Sequence, residues 1–148
     1  MKSNFFSPFQ LHGTRITDLS IKNPLISLPD GGVDLNISII NGDINIQENE
    51  NELLSTFSQT VKVSAENKEN HETLEINISV EGFFTTSEKD KKLFSDMLAL
   101  NGNSSLYAIV RSYIITLSSL ALNQGSITLP MVNFYNLLQS LEKEKEET

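Results

Sequence analysis

Cysteine is absent from the 148 residues. That excludes a disulfide framework and any thiolate chemistry. Bases are scarce: 11 Lys and Arg stand against 19 Asp and Glu, for a net charge of −8. A nucleic-acid binder needs Lys and Arg to displace counterions from phosphates. Here no basic cluster exceeds Lys91–Lys92, so nucleic acid is excluded as a partner. An acidic surface keeps a protein soluble and repels acidic partners. There is also no long apolar run. The one extended uncharged stretch, 112–141, is broken by Gly125, Pro130 and several Asn, Gln and Ser. A membrane span needs about 20 mainly apolar residues, so none is expected. The start, MKSNFFSPFQ, has one base and a broken apolar pattern, unlike a signal peptide. The expected setting is the bacterial cytoplasm, which leaves the sequons at Asn36, Asn77 and Asn103 without meaning.

Catalytic signatures are missing too. None of the glycine-rich phosphate motifs or the G-x-S-x-G elbow occurs. Gly31–Gly32 reads as a turn. His12 and His71 are the only histidines, one on a strand and one in a polar turn. Neither has a partner at metal-ligand spacing. No metal, no cofactor and no enzymatic activity are expected.

The length points to one domain over 1–148, ending in a charged, frayed tail at 142–148. Strand periodicity fills the first half. Phe9, Leu11, Ile16, Leu19 and Ile21 alternate roughly, with a slip near Gly13 that predicts a bulge. NPLISLPDGG (23–32) is a loop. Val33, Leu35, Ile37 and Ile39 alternate strictly with polar residues. Asn41–Gly42 predicts either a tight hairpin turn to Ile44 and Ile46 or a bulge. QENENE (47–52) is polar and expected as a loop. Val61, Val63 and Ala65, then Leu74, Ile76, Ile78 and Val80, make the clearest hairpin. It has one apolar face, as in an antiparallel sheet covered on one side.

The period changes to helical in the second half. A helix is predicted over 87–102, with Ser87 as N-cap, Asp90 three residues later and Gly102 as the stop. A second runs from Ser105 to Asn123. Its apolar surface is so wide that it must be covered on more than one side, which implies a second copy of the chain. After LPMVNF (129–134), Asn133 caps a last helix from Phe134 to about Lys145. Four strands followed by three helices predict an α+β fold: a four-stranded antiparallel sheet with helices packed on one face.

Apolar residues also occur where none is needed. Phe5, Phe6 and Phe9 open the chain. Phe83–Phe84 are adjacent on a strand, so one must point away from the core. Exposed apolar grooves usually mark binding sites.

Three stretches together resemble the SecB family of export chaperones. They are RITDLSIKNP (15–24), VKVSAENKENHETLEINISVEGFF (61–84) and SSLYAIVRSYIITLSSLALNQGSITLPMVNFYNLL (104–138). In the third, Tyr107, Arg111, Gly125, Pro130, Val132, Asn133 and Phe134 take the places of the family's pattern. The resemblance implies an ATP-independent holdase that keeps unfolded polypeptides, such as pre-secretory proteins, unaggregated in apolar grooves. It implies a homotetramer built as a dimer of dimers. By matching, the client-binding positions are Val33, Leu35, Ile37, Phe83, Phe84, Leu138 and Leu141. The family docks the SecA motor on an acidic face. Asp18 and Glu75 are the docking candidates here, while Lys22 and Asn77 depart from that pattern and 41–52 looks like an insertion. Some SecB-like proteins instead serve a toxin–antitoxin pair by holding the antitoxin, and that is the alternative partner.

Overall fold

The computed structural model describes residues 6–24 and 32–147. Phe5 and most of the loop expected at 23–32, with Gly31, lie outside these residues.

Five strands form one antiparallel sheet. They are β1 (Phe9–Lys22), β2 (Val33–Asn41), β3 (Gln47–Glu48), β4 (Leu53–Asn67) and β5 (Thr73–Thr86). The spatial order is β1-β5-β4-β2, and β3 pairs with the start of β4. The fold class is α+β, with the helices packed on one face of this sheet. β1 breaks register twice, between Leu11 and Gly13 and between Ile16 and Asp18. The first break is the bulge that the slip near Gly13 predicted.

The long central strands carry the core. β5 turns Leu74, Ile76, Ile78, Val80 and Phe84 to the helices, all buried. β4 turns Leu53, Ser55, Phe57, Gln59, Val61, Val63 and Ala65 the same way, also buried. β4 therefore begins eight residues before the alternation at Val61. Ser55 and Gln59 interrupt the apolar pattern at inward positions and hide the strand. Both have partners: Ser55 Oγ donates to the Asn45 carbonyl at 2.8 Å, and Gln59 Nε2 donates to the Asn103 carbonyl at 3.1 Å.

Asn41–Gly42 is not the hairpin turn; the alternative, a bulge in one longer strand, holds, because β3 continues β2 along the same edge of β4 with the register shifted by one residue. Gly42 N–H donates to the Ser58 carbonyl at 2.9 Å, and a Cβ there would collide with the Ser58 side chain. The chain then runs on along the same edge of β4, with Ile44 and Ile46 packed on the core. Part of the polar segment expected as a loop becomes β3. The turn that follows is closed by Asn49, whose side-chain oxygen accepts from the amides of Asn51 and Glu52.

The helices are α1 (Lys91–Met97), α2 (Asn103–Ala121) and α3 (Phe134–Glu147). Asp90, not Ser87, caps α1; its carboxylate accepts from Leu93 N–H at 3.1 Å. Gly102 does not stop a helix. It lies in a π-helical turn, Leu98–Gly102, that leads directly into α2. Phe94, Leu98, Gly102, Leu106, Val110 and Ile114 are all buried and lie four apart. A 3.6-residue repeat would carry such a row about 40° around the helix at each step. The wider π turn takes up part of that drift and keeps Phe94 and Leu106 on the same sheet. Gln59 and Asn103 mark the join, and Asn103 Nδ2 donates back to the Ala99 carbonyl at 2.7 Å. α3 is capped as expected, Asn133 Oδ1 accepting from Asn136 N–H at 3.0 Å. It continues helical through the charged residues to Glu147. No helix among the described residues is long and apolar enough to cross a membrane.

Candidate functional site

The segment joining α2 to α3, residues 122–133, lies along one flank of α2. Gly125, at φ +92°, turns the chain. Three α2 side chains on that flank then hold the backbone. Ser118 Oγ accepts from Ile127 N–H at 2.7 Å. Arg111 Nε donates to the Leu129 carbonyl at 2.9 Å. Tyr107 OH donates to the Pro130 carbonyl at 2.7 Å. Leu122, Ile127 and Leu129 are buried beneath this strap, while Met131 is 79 % exposed. The apolar composition of LPMVNF follows in part: Leu129 and Phe134 are buried in the core and Val132 packs against it, while Pro130, Met131 and Asn133 stay outside. Tyr107 packs edge-on against Phe134, with ring centroids 5.6 Å apart. Burial pushes its phenol pKa up, and the Arg111 charge opposes that in part.

The helix layer covers β4 and β5 but not both sheet edges. On β1, Ile16, Leu19 and Ile21 pair across the ladder with Val80, Ile78 and Ile76. They therefore share the helix-facing side, yet they remain 38–43 % exposed. On β2, Val33, Leu35, Ile37 and Ile39 share that side with Ala65, Val63 and Val61. Val33, Ile37 and Ile39 touch the core while Leu35 is exposed. The outward face of α2 carries Ser104, Ala108, Ser112, Ile115, Thr116 and Leu120, with Leu120 78 % exposed. It bears no charge.

The residues expected to bind a client do not all lie together. Val33, Leu35 and Ile37 line the helix-facing side of β2. Leu138 is half-buried and Leu141 exposed on α3. Phe83 and Phe84 fall on opposite faces of the sheet. Phe84 is a correction: it is fully buried, stacked on Phe9 at 5.4 Å. Inward alternation on β5 places it in the core, out of reach of a client. Phe83 points to the outer face beside the His12 ring, at 5.6 Å. Ile16, Leu19 and Ile21 were not among the expected site residues. Their alternation was visible, but nothing in it says that β1 is an edge strand beyond the helices.

The outer face is polar and of mixed charge. Asp18 lies opposite Ser79, and Glu75 lies directly opposite Lys22. Arg15 Nε bonds Glu81 Oε1 at 3.0 Å. A shallow groove of about 380 Å³ runs between β2, β4 and β5, lined by Asn36, Ser38, Lys62, Ser64, Glu75 and Asn77. Neither histidine meets the other. His12 Nε2 is 2.6 Å from Thr85 Oγ1, and His71 Nδ1 is 2.6 Å from Glu66 Oε1 in the β4–β5 turn.

No family model matches the chain, and no curated protein matches it in sequence. Solved structures do match in fold. A SecB-like chaperone of Mycobacterium tuberculosis, solved with a ChAD peptide from the HigA1 antitoxin, superposes with a TM-score of 0.60 at 14 % identity, over 84 % of this chain and 90 % of that one. A protein of unknown function from Streptococcus agalactiae gives a TM-score of 0.48 at 8 % identity, over 82 % of this chain and 96 % of that one. The first of these shows that the chain has a SecB-like fold.

Proposed function

We propose that the chain is an ATP-independent, SecB-like holdase that keeps unfolded polypeptides from aggregating. One observation carries this reading: apolar side chains on the helix-facing side of both edge strands extend past the helix layer and remain exposed. A soluble chain rarely leaves such surface uncovered unless something binds it. A client segment lying there would bury apolar area at roughly 25 cal/mol per Å². Several weak contacts along one client would add through multivalency. The uncharged outward face of the C-terminal half of α2, at Ser112, Ile115, Thr116 and Leu120, suits packing against a second copy, with Ser104 and Ala108 outside that contact, and a dimer of dimers is the proposed assembly. No catalytic step is part of this account, and the proposed setting is the bacterial cytoplasm.

The test is site-specific photo-crosslinking to a denatured client. A crosslinker at Leu35 or Leu141 should capture the client, and one at Glu81 on the outer face should not. Capture at Glu81 alone would refute the placement of the groove.

A second reading has its own support. The Mycobacterium tuberculosis relative in fold holds an antitoxin peptide, and the outer face here places Lys22 against Glu75 rather than a run of acids. Under that reading the client is one antitoxin, and SecA does not dock. A pull-down from the native host that recovers SecA and no antitoxin would overturn it.

A further inference from the structure

We propose that the cleft between α2, the strap and the start of α3 recognises an apolar side chain together with a nearby carboxylate on a bound polypeptide, with Arg111 holding the carboxylate. This rests on the holdase reading and names a preference within it.

The cleft has a volume of about 90 Å³. Its walls include Tyr107, Ala108, Met131, Val132 and Phe134. A dry cavity of about 150 Å³ holds a benzene ring, so this one takes a single small aliphatic side chain. Met131 stands at its edge, 79 % exposed, and a thioether on three rotatable bonds adapts to varied shapes.

Arg111 also lines the cleft. It is the only charged residue between Asp96 and Glu142. It is half-buried. Its Nε is committed to the Leu129 carbonyl. Holding the strap in this way takes one N–H, and a neutral side chain could supply that. The charge and the two terminal amino groups are surplus to the latch. No carboxylate among the described residues forms an ion pair with Arg111, although the chain has eight more acids than bases. A half-buried cation without a counter-charge is costly to desolvate. An anion brought from outside removes that cost, and the guanidinium fork matches a carboxylate in two parallel hydrogen bonds.

The surroundings select the kind of anion. A phosphate would be held best by several cations or a cluster of backbone N–H groups. The cleft offers one cation in apolar walls. That combination suits Asp, Glu or a chain terminus one or two residues from Leu, Ile or Val.

The experiment uses two fluorescent nine-residue peptides that differ at one position, Leu-Glu against Leu-Gln, with anisotropy as the readout. The unaltered protein should bind the Glu peptide about tenfold more tightly at low salt, the scale of one charge-assisted contact. The preference should shrink as salt rises. Arg111→Gln should abolish the preference between the two peptides, and Arg111→Lys should retain part of it. Because Arg111 also latches the strap, the unaltered protein is the decisive case. Equal binding of the two peptides there would overturn the proposal and leave the holdase reading standing. Failure to bind either peptide, with a denatured client still protected, would also overturn the proposal alone. Failure in both assays would overturn both.

Discussion

Phe83 and Phe84 are neighbours in the chain and lie on opposite faces of the sheet. Phe84 is wholly buried between the sheet and the helices, and Phe83 is 40 % exposed on the other side. The two therefore separate stability from surface. Phe84→Ala should cost about 3–5 kcal/mol, the usual range for a buried aromatic. Phe83→Ser should cost under about 1 kcal/mol. Urea unfolding of the two variants measures both. Equal losses would mean that Phe83 is covered in the assembled protein.

Tyr107 links strap stability to pH. Burial raises its pKa above 10.0, and Arg111 only partly offsets this. The unfolded chain then loses the phenol proton first as pH rises. The contribution from Tyr107 is complete below pH 10 and is lost as pH climbs through the raised value. Tyr107→Phe deletes the hydrogen bond to Pro130 and should cost about 0.5–1.5 kcal/mol at neutral pH. It should also flatten the alkaline fall in stability. Thermal melts between pH 8 and 11 on both proteins test this, and an unchanged alkaline slope in the variant would contradict it.

Gly42 is favoured by close approach, since a Cβ there would force the Ser58 hydroxyl to another rotamer and press on the Ser58 Cβ. Any Cβ there meets the Ser58 side chain. Gly42→Ala should destabilise by about 1 kcal/mol, the low end for overpacking, and Ser58→Gly in the same chain should restore most of the loss. Denaturant midpoints for the single and double variants decide it; additive losses would place the strain elsewhere.

Leu120 is the most exposed aliphatic side chain on α2, at 78 %. If α2 packs against a second copy, Leu120→Lys should lower the mass in light scattering after size exclusion and leave the circular dichroism unchanged. An unaltered mass would remove the outward face of α2 from the interface.

Much of the fold was legible because alternation and helical spacing are local. The β4–β5 hairpin, the bulge near Gly13, α2 and the Asn133 cap all followed from neighbouring residues. The start of β4 was hidden because Ser55 and Gln59 sit inward, where the Ser55 hydroxyl bonds Asn45 and the Gln59 amide nitrogen bonds Asn103. The π turn was misread as a helix end because a glycine after a helical run reads as a stop, whereas Gly102 is helical and buried within a continuous run into α2. The site was harder to read. Phe83 and Phe84 could be told to diverge but not which one was buried. That β1 lies at the sheet edge, past the helices, is a matter of strand order, which no local pattern records. Tyr107 and Arg111 were visible in the family pattern, but their hold on the strap spans 18 residues or more and shows only in three dimensions.

The central claim is that exposed apolar surface on the helix-facing side holds unfolded chains. The most direct measurement is light scattering from a chemically denatured, slow-folding protein diluted into buffer without ATP, with and without this chain. The account predicts suppression near stoichiometric ratio, weakened in a Leu35→Ser, Leu141→Ser double variant that remains folded. Undiminished aggregation of several unrelated clients, in the presence of the folded protein, would contradict it.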